Sequence, residues 1–367
     1  MTHFIPLVKP GIDENDIHNV AEVLRSGMLV QGKNAGALEE KFREYHRVKH
    51  AIALSNGTAT LHLALLVSGI GPGDEVIVPA FSYVATANAV ELVGAIPVFA
   101  DIDLKTFNID VSKIEDKITT RTKAIIPVHE FGLACHIIPI KKIAEKHKLI
   151  IIEDAACALG ATYTGNPVGS FGEFGSFSLH PRKSITSGEG GMLLTNDEVF
   201  AKKIKTLRNH GIDPDKPEMD FIEAGFNYRM TDFQAALALG QFERLKNILD
   251  SKNKLAGIYF NEIRNPHIIL PFIPDECNHT WQSFHILLEK PLMQKEVIEK
   301  LKKNNIGSNY GAQCIPAQTF YFNKYKIDSA KEYPNAFKAW TQGLAIPMYD
   351  KLPAEDVYYI SKILNSI

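Results

Sequence analysis

The sequence predicts an α/β fold, and three observations carry that expectation. From about residue 50 to 200, short apolar and β-branched runs alternate with helical patterns. One run, Leu149-Ile150-Ile151-Ile152, is apolar throughout, which suits a strand buried on both faces of a mostly parallel sheet. Beyond about residue 200 the pattern changes to longer segments of helical period. The expected layout is a large domain over residues 1–240, with a mostly parallel seven-stranded sheet between helices. A smaller α+β C-terminal domain with a linking helix covers 241–367.

In chain order, the candidate strands are Ala51 to Leu54, Glu75 to Val78, Ile96 to Ala100, Lys123 to His129, Leu149 to Asp154, Gly175 to Leu179 and Gly191 to Thr195. Helical patterns fill the gaps at Thr58 to Val67, Tyr83 to Val93 and Ile138 to Lys146. Asp197 to Asn209 and Asp232 to Ile263 follow as helices of period 3.6, the second one long. A Pro-containing stretch, Asn265 to Asp275, marks the passage to the smaller domain. There Ser283 to Leu287 reads as a strand, Gln294 to Asn304 as a charged amphipathic helix and Ala354 to Ile363 as a closing helix.

Composition excludes several classes. The 367 residues are 45% hydrophobic and 22% charged, an ordinary globular balance. Lys+Arg 40 against Asp+Glu 42 leaves a charge of -2, which argues against broad binding of nucleic acid or an anionic membrane. No run reaches ~18 apolar residues, and the N-terminus lacks a signal-peptide core. The four cysteines, at 135, 157, 277 and 314, make no C-x-x-C pair, so neither a metal site nor a disulfide framework is expected. These features predict a cytoplasmic protein.

Gly69-Ile70-Gly71-Pro72-Gly73 looks like part of a dinucleotide fingerprint, but it precedes a strand and opens no helix, so it reads as a turn. Ligands of open α/β sheets bind outside the carboxyl ends of the strands. Four features lie there. Ser55-Asn56-Gly57-Thr58-Ala59-Thr60 joins a strand to a helix, and helix N-termini offer N–H donors to phosphate. Tyr83 stands just past a strand, where an aromatic could cover a flat ring. Asp154 ends a very apolar strand and is costly to bury unless it meets a cation. Lys183 sits on the turn after Ser178-Leu179-His180, before a glycine-rich return to the next strand. Singly, these are a helix cap, a core aromatic, another cap and a basic turn. Together they are a phosphate cradle, a ring cover, a ring-nitrogen acid and a Schiff-base lysine, the set that pyridoxal phosphate requires.

The sequence here resembles the DegT/StrS family of sugar aminotransferases, from about Ile5 to the C-terminus. The matching segments are Ser26-Gly27 through Gln31-Gly32, Asn56-Gly57-Thr58-Ala59, Glu153-Asp154-Ala155-Ala156, Phe177-Ser178-Leu179-His180 with Lys183, Thr186-Ser187-Gly188-Glu189-Gly190-Gly191, and Gly225-Phe226-Asn227-Tyr228-Arg229-Met230. The resemblance implies the aspartate-aminotransferase-like fold (fold type I), pyridoxal 5'-phosphate, and a homodimer with shared active sites. It implies that Lys183 forms the Schiff base and then shuttles protons, and that Asp154 pairs with the ring nitrogen. Gly57, Thr58, Ala59 and Ser178 would hold the phosphate, Tyr83 would stack on the ring, and Asn227 would reach the partner's phosphate. His180 would join Lys183 and Asp154 in the catalytic group, either supporting the residues that touch the reactants or on the substrate side.

The chain departs from the family pattern in three places. Cys157 stands where the family usually has Gln or His, beside the cofactor's ring oxygen. His129 is followed by Glu130-Phe131-Gly132-Leu133-Ala134-Cys135-His136, without the family's frequent D-M-D. Tyr310 to Pro316 lacks a histidine common near that tyrosine. The resemblance implies amino transfer from L-glutamate to a nucleotide-linked keto-deoxy sugar, with C4 favoured by the Gly-Glu-Gly-Gly form. A 3-keto sugar, a keto-cyclitol and a non-catalytic cofactor-binding regulator remain as alternatives.

Overall fold

The fold was determined as a computed structural model, which describes residues 3–367. Its main sheet has seven strands: β1 (His50–Leu54), β2 (Glu75–Pro79), β3 (Ile96–Ala100), β4 (Thr122–Ile125), β5 (Ile150–Asp154), β6 (Phe174–Ser178) and β7 (Gly191–Thr195). Their order across the sheet is β1-β7-β6-β5-β4-β2-β3. Pairings from β3 through β6 are parallel, and β7 runs antiparallel to β6 and β1.

Alternation along the strands explains the layers. Ile52, Leu54, Val76, Val78, Ala124 and Ile152 pack into one core, whereas Ala51, Ala53, Ile77, Ile125 and Ile151 pack into the other. Successive strand residues point to opposite faces, so apolar runs bury both faces of the sheet under helices. A second sheet of three antiparallel strands, β8 (Ile268–Ile269), β9 (Phe284–Leu288) and β10 (Gly343–Ile346), carries a third core. Ile5 belongs to that core and bridges Ile306, so the start of the chain packs with its last third. No helix among the described residues is long and apolar enough to cross a membrane.

Two expected elements differ. The strand expected over Lys123 to His129 ends at Ile125. Pro127 has no N–H to give, so the ladder is interrupted there, although the chain stays beside β5. The Asp154 amide donates to the Pro127 carbonyl (2.9 Å) and the His129 amide to the Asp154 carbonyl (3.0 Å). The single helix expected over Asp232 to Ile263 is two, Asp232–Glu243 and Leu245–Glu262. They break at Arg244 (φ -99°, ψ 5°), whose guanidinium is tied to Asp13 and Asp16 near the start of the chain.

One buried histidine makes the core sensitive to acid. His46 lies among Phe42 and Phe177, with Nδ1 donating to the Phe42 carbonyl (2.9 Å) and Nε2 unpartnered. Burial holds its pKa down at about 4. The unfolded chain therefore takes up this proton near pH 6.5, and the folded chain resists it until about 4. The contribution is complete above 6.5 and is lost as pH falls through that window, by about 2 kcal/mol between pH 7 and 5. His46→Leu should remove that much of the acid-induced loss in denaturant midpoints; an unchanged pH slope would contradict the assignment.

Candidate active site

The site is built at the carboxyl ends of β4, β5 and β6. β5 ends in two acids on opposite faces. Glu153 is fully buried and accepts from the amides of Gly169 (2.8 Å), Phe171 (2.7 Å) and Gly172 (2.9 Å), and from His129 Nε2 (3.1 Å). Asp154 is also buried; its Oδ2 accepts from Thr86 Oγ1 (2.8 Å) and its Oδ1 from the Ala156 amide (3.1 Å). Burial pushes the Asp154 carboxyl up, against the pull of those two bonds and of the Lys183 charge.

Lys183 sits in the loop between β6 and β7. Its amide donates to the His180 carbonyl (2.8 Å), which forms the turn, and the Leu179 amide donates to the Gly190 carbonyl (2.8 Å), which closes the loop. Gln241 clamps the loop by accepting from the Thr186 amide (3.1 Å) and donating to the Thr186 carbonyl (2.7 Å). Lys183 Nζ thereby lies 3.0 Å from Cys157 Sγ. Burial works against the ammonium, but Cys157, Asp154 and Glu130 outweigh it and the net shift is upward. Burial also pushes the Cys157 thiol up.

The helix Gly57–Val67 begins beside the end of β6. Asn56 caps it by accepting from the Ala59 amide (2.8 Å). That amide is thus taken, and the amides of Gly57 and Thr58 have no acceptor among the described residues, as a first helical turn leaves them. A Cβ on Gly57 would stand 2.8 Å from Ser178 Cβ, so only glycine lets this turn close onto β6.

The structure brings Asp154, Cys157 and Lys183 together, and Gly57 to Ala59 against Ser178. His180 is half-buried; its Nδ1 accepts from the Arg182 amide (3.2 Å), and burial keeps its pKa below the ordinary value. Tyr83 precedes the helix Ala85–Leu92 and is 64% exposed. Asn227 is exposed too, one residue before Tyr228, whose carbonyl accepts from the Ser55 amide (2.8 Å). Sequence reasoning missed Thr86, Gln241 and Glu130. Glu130 was within reach of the rule that found Asp154, an acid just past a strand. Thr86 and Gln241 carry no local mark.

Residues 10–365 match the DegT/DnrJ/EryC1/StrS aminotransferase family. This chain belongs to that family. It is 46% identical to GDP-perosamine synthase of Caulobacter vibrioides over 72% of this chain and 74% of that one. It is 38% identical to UDP-4-amino-4-deoxy-L-arabinose–oxoglutarate aminotransferase of Shewanella sediminis, over 99% and 98%. Among solved structures, Spr1654 of Streptococcus pneumoniae in its PMP form, described as a sugar aminotransferase, superimposes with a TM-score of 0.94 at 31% identity, over 99% and 97% of the two chains. The family's cofactor is pyridoxal 5'-phosphate, and a PLP form of Spr1654 is equally similar, with a TM-score of 0.94.

The residues present fit that cofactor. Two uncommitted amides and a serine hydroxyl suit a phosphate, and a buried carboxylate suits a protonated ring nitrogen. Lys183 supplies the amine, and the buried Glu130 Oε2 lacks a partner. Gly57→Ala should weaken pyridoxal phosphate binding about tenfold, or ~1.4 kcal/mol. An absorbance titration of the cofactor into apoprotein checks this, and unchanged affinity would contradict the close approach to Ser178.

Proposed function

We propose that this chain moves an amino group from L-glutamate to the ketone, at C4, of a nucleotide-linked keto-deoxy sugar, in the synthesis of a surface polysaccharide or another glycan. The observation that carries this reading is Lys183 held beside the buried acid Asp154 at the strand ends of an aminotransferase-family chain. Relatives named for UDP- and GDP-linked amino sugars support the substrate class.

When bound, pyridoxal phosphate supplies an electron sink for the carbanion beside the transferred nitrogen. The chain's residues do the rest. Gly57 and Thr58 present amides to the phosphate, with Ala59 in the same turn and Ser178 beside them. Asp154 keeps a proton on the ring nitrogen, held in aim by Thr86. Lys183 Nζ carries the proton between carbons, a task typically worth ~10²–10⁴-fold. Tyr83 covers the ring, and His180 borders the substrate.

The working unit is a homodimer with shared sites, in which Asn227 reaches the partner's phosphate. Exposed Met28, Val30, Met219, Phe221 and Ile222 support an interface. The four free cysteines support a reducing, cytoplasmic setting. Residues 1–240 form the cofactor-binding unit and 241–367 the smaller one, with Ile5 packed into the latter.

Two experiments test these readings. Wild-type protein incubated with glutamate and a panel of nucleotide keto-sugars should yield one amino sugar by mass spectrometry. Lys183→Ala should abolish turnover and borohydride trapping. A 3-keto sugar or keto-cyclitol as sole acceptor would overturn the C4 assignment, and no amination of any ketone would overturn the function. Separately, co-expressed Lys183→Ala and Asn227→Ala chains should recover activity in mixed dimers, each of which rebuilds one intact site. No recovery above the single variants would refute the shared site.

A further inference from the structure

Glu130 has no part in the chemistry above. It follows β4, where the chain bridges Asp154 through Val128 and then turns over Glu130–Gly132. The turn is held firmly. The Glu130 amide donates to Asn108 Oδ1 (2.8 Å), and the Phe131 ring stacks on His285 with centroids 4.2 Å apart. Gly132 has φ +99°, and a Cβ there would lie 3.2 Å from the Cys157 carbonyl oxygen. The turn therefore lies near the backbone of Cys157, the residue whose sulfur meets Lys183 Nζ.

The Glu130 side chain is 4% exposed. Ser82 lies nearby, and Oε2 has no partner among the described residues. A buried polar atom without a partner is costly, and such atoms often sit where a ligand binds. The groups around it come from every side: Ser82 before the helix that carries Thr86, Asp154 at the end of β5, Cys157 just beyond, and Lys183 in the β6–β7 loop. Behind it, His129 is engaged with Glu153 and the Cys135 amide, and burial keeps the His285 ring neutral.

We propose that Glu130 is a further residue of the active site, a positioning acid that sets the charge on the Lys183 nitrogen and offers its free Oε2 to a polar group of the bound reactants. This rests on the aminotransferase reading. Burial pushes the Glu130 carboxyl up to about 7, with Asp154 adding to that push and Ser82 and Lys183 resisting it. The group thus changes charge in the working range. Above about 7, with its proton released to water, the carboxylate favours a proton on Lys183 Nζ. Below that, the neutral carboxyl lets the nitrogen shed its proton more readily.

The test compares wild type, Glu130→Gln and Glu130→Leu, each loaded with pyridoxal phosphate. Visible absorbance against pH reads the charge on the Lys183 nitrogen. Glu130→Gln keeps the shape and loses the charge, so the midpoint should fall by about one pH unit, a tenfold change. Glu130→Leu should fall as far or further. A Glu130→Gln midpoint equal to wild type overturns the proposal. A second readout needs no cofactor. Infrared difference spectra of the apoprotein between pH 6 and 8.5 should show a carboxylic acid losing its proton in wild type and not in Glu130→Gln; identical spectra also overturn it. Protein that binds no pyridoxal phosphate at all would instead count against the parent reading, so the two failures are distinguishable.

Discussion

The four hydrogen bonds received by Glu153 are the constraint on which the site depends. An ionised carboxylate with no exposed surface is tolerated only when its lone pairs are met. Here three backbone amides from residues 169–172 and the His129 ring meet them. Those bonds pin the approach to β6 on one side and the extension of β4 on the other. Because neighbouring strand residues face opposite ways, fixing Glu153 also fixes where Asp154 points. His129, bonded to Glu153, is followed directly by Glu130. One buried acid thus positions two others without touching the reactants. Removing it would leave the His129 ring and three amides unpaired, a far larger loss than that of a single contact.

On the opposite face the charges are arranged for use rather than for stability. Asp154 and Glu130 flank Lys183, and both acids are pushed toward their neutral forms by burial. With both ionised, the trio carries one excess negative charge in a dry setting. Protonation of Glu130 removes it. The amides of Gly57 and Thr58, free at the start of their helix, would suit the cofactor's phosphate, and no charge count registers them. This is why a chain of net charge -2 can still be built around an anion.

Much of this was legible in the sequence. The seven strands came from apolar runs and their spacing, because burial on both faces leaves little room for polar residues. Gly57, Asp154, Ser178 and Lys183 were legible because strand ends are where α/β sheets bind ligands. What escaped has physical reasons. Pro127 ended β4 early because one missing N–H outweighs several β-branched neighbours. The break at Arg244 depends on Asp13 and Asp16, more than two hundred residues away, which no local window contains. Gln241 is an ordinary helical residue until the fold sets Thr186 against it.

Cys157 shows how a departure from a family pattern can be absorbed. A glutamine or histidine at that position would offer a strong hydrogen-bond donor, whereas a thiol offers a weak one. The turn at Glu130–Gly132 lies near the Cys157 backbone, and the carboxyl carried by that turn is a neighbour of the thiol. A carboxylic acid donates more strongly than a thiol, and its ionised form attracts the neighbouring nitrogen's proton as neither amide nor thiol can. Cys157 and Glu130 are therefore linked within the site. Their coupling runs through Lys183, the residue that both of them influence.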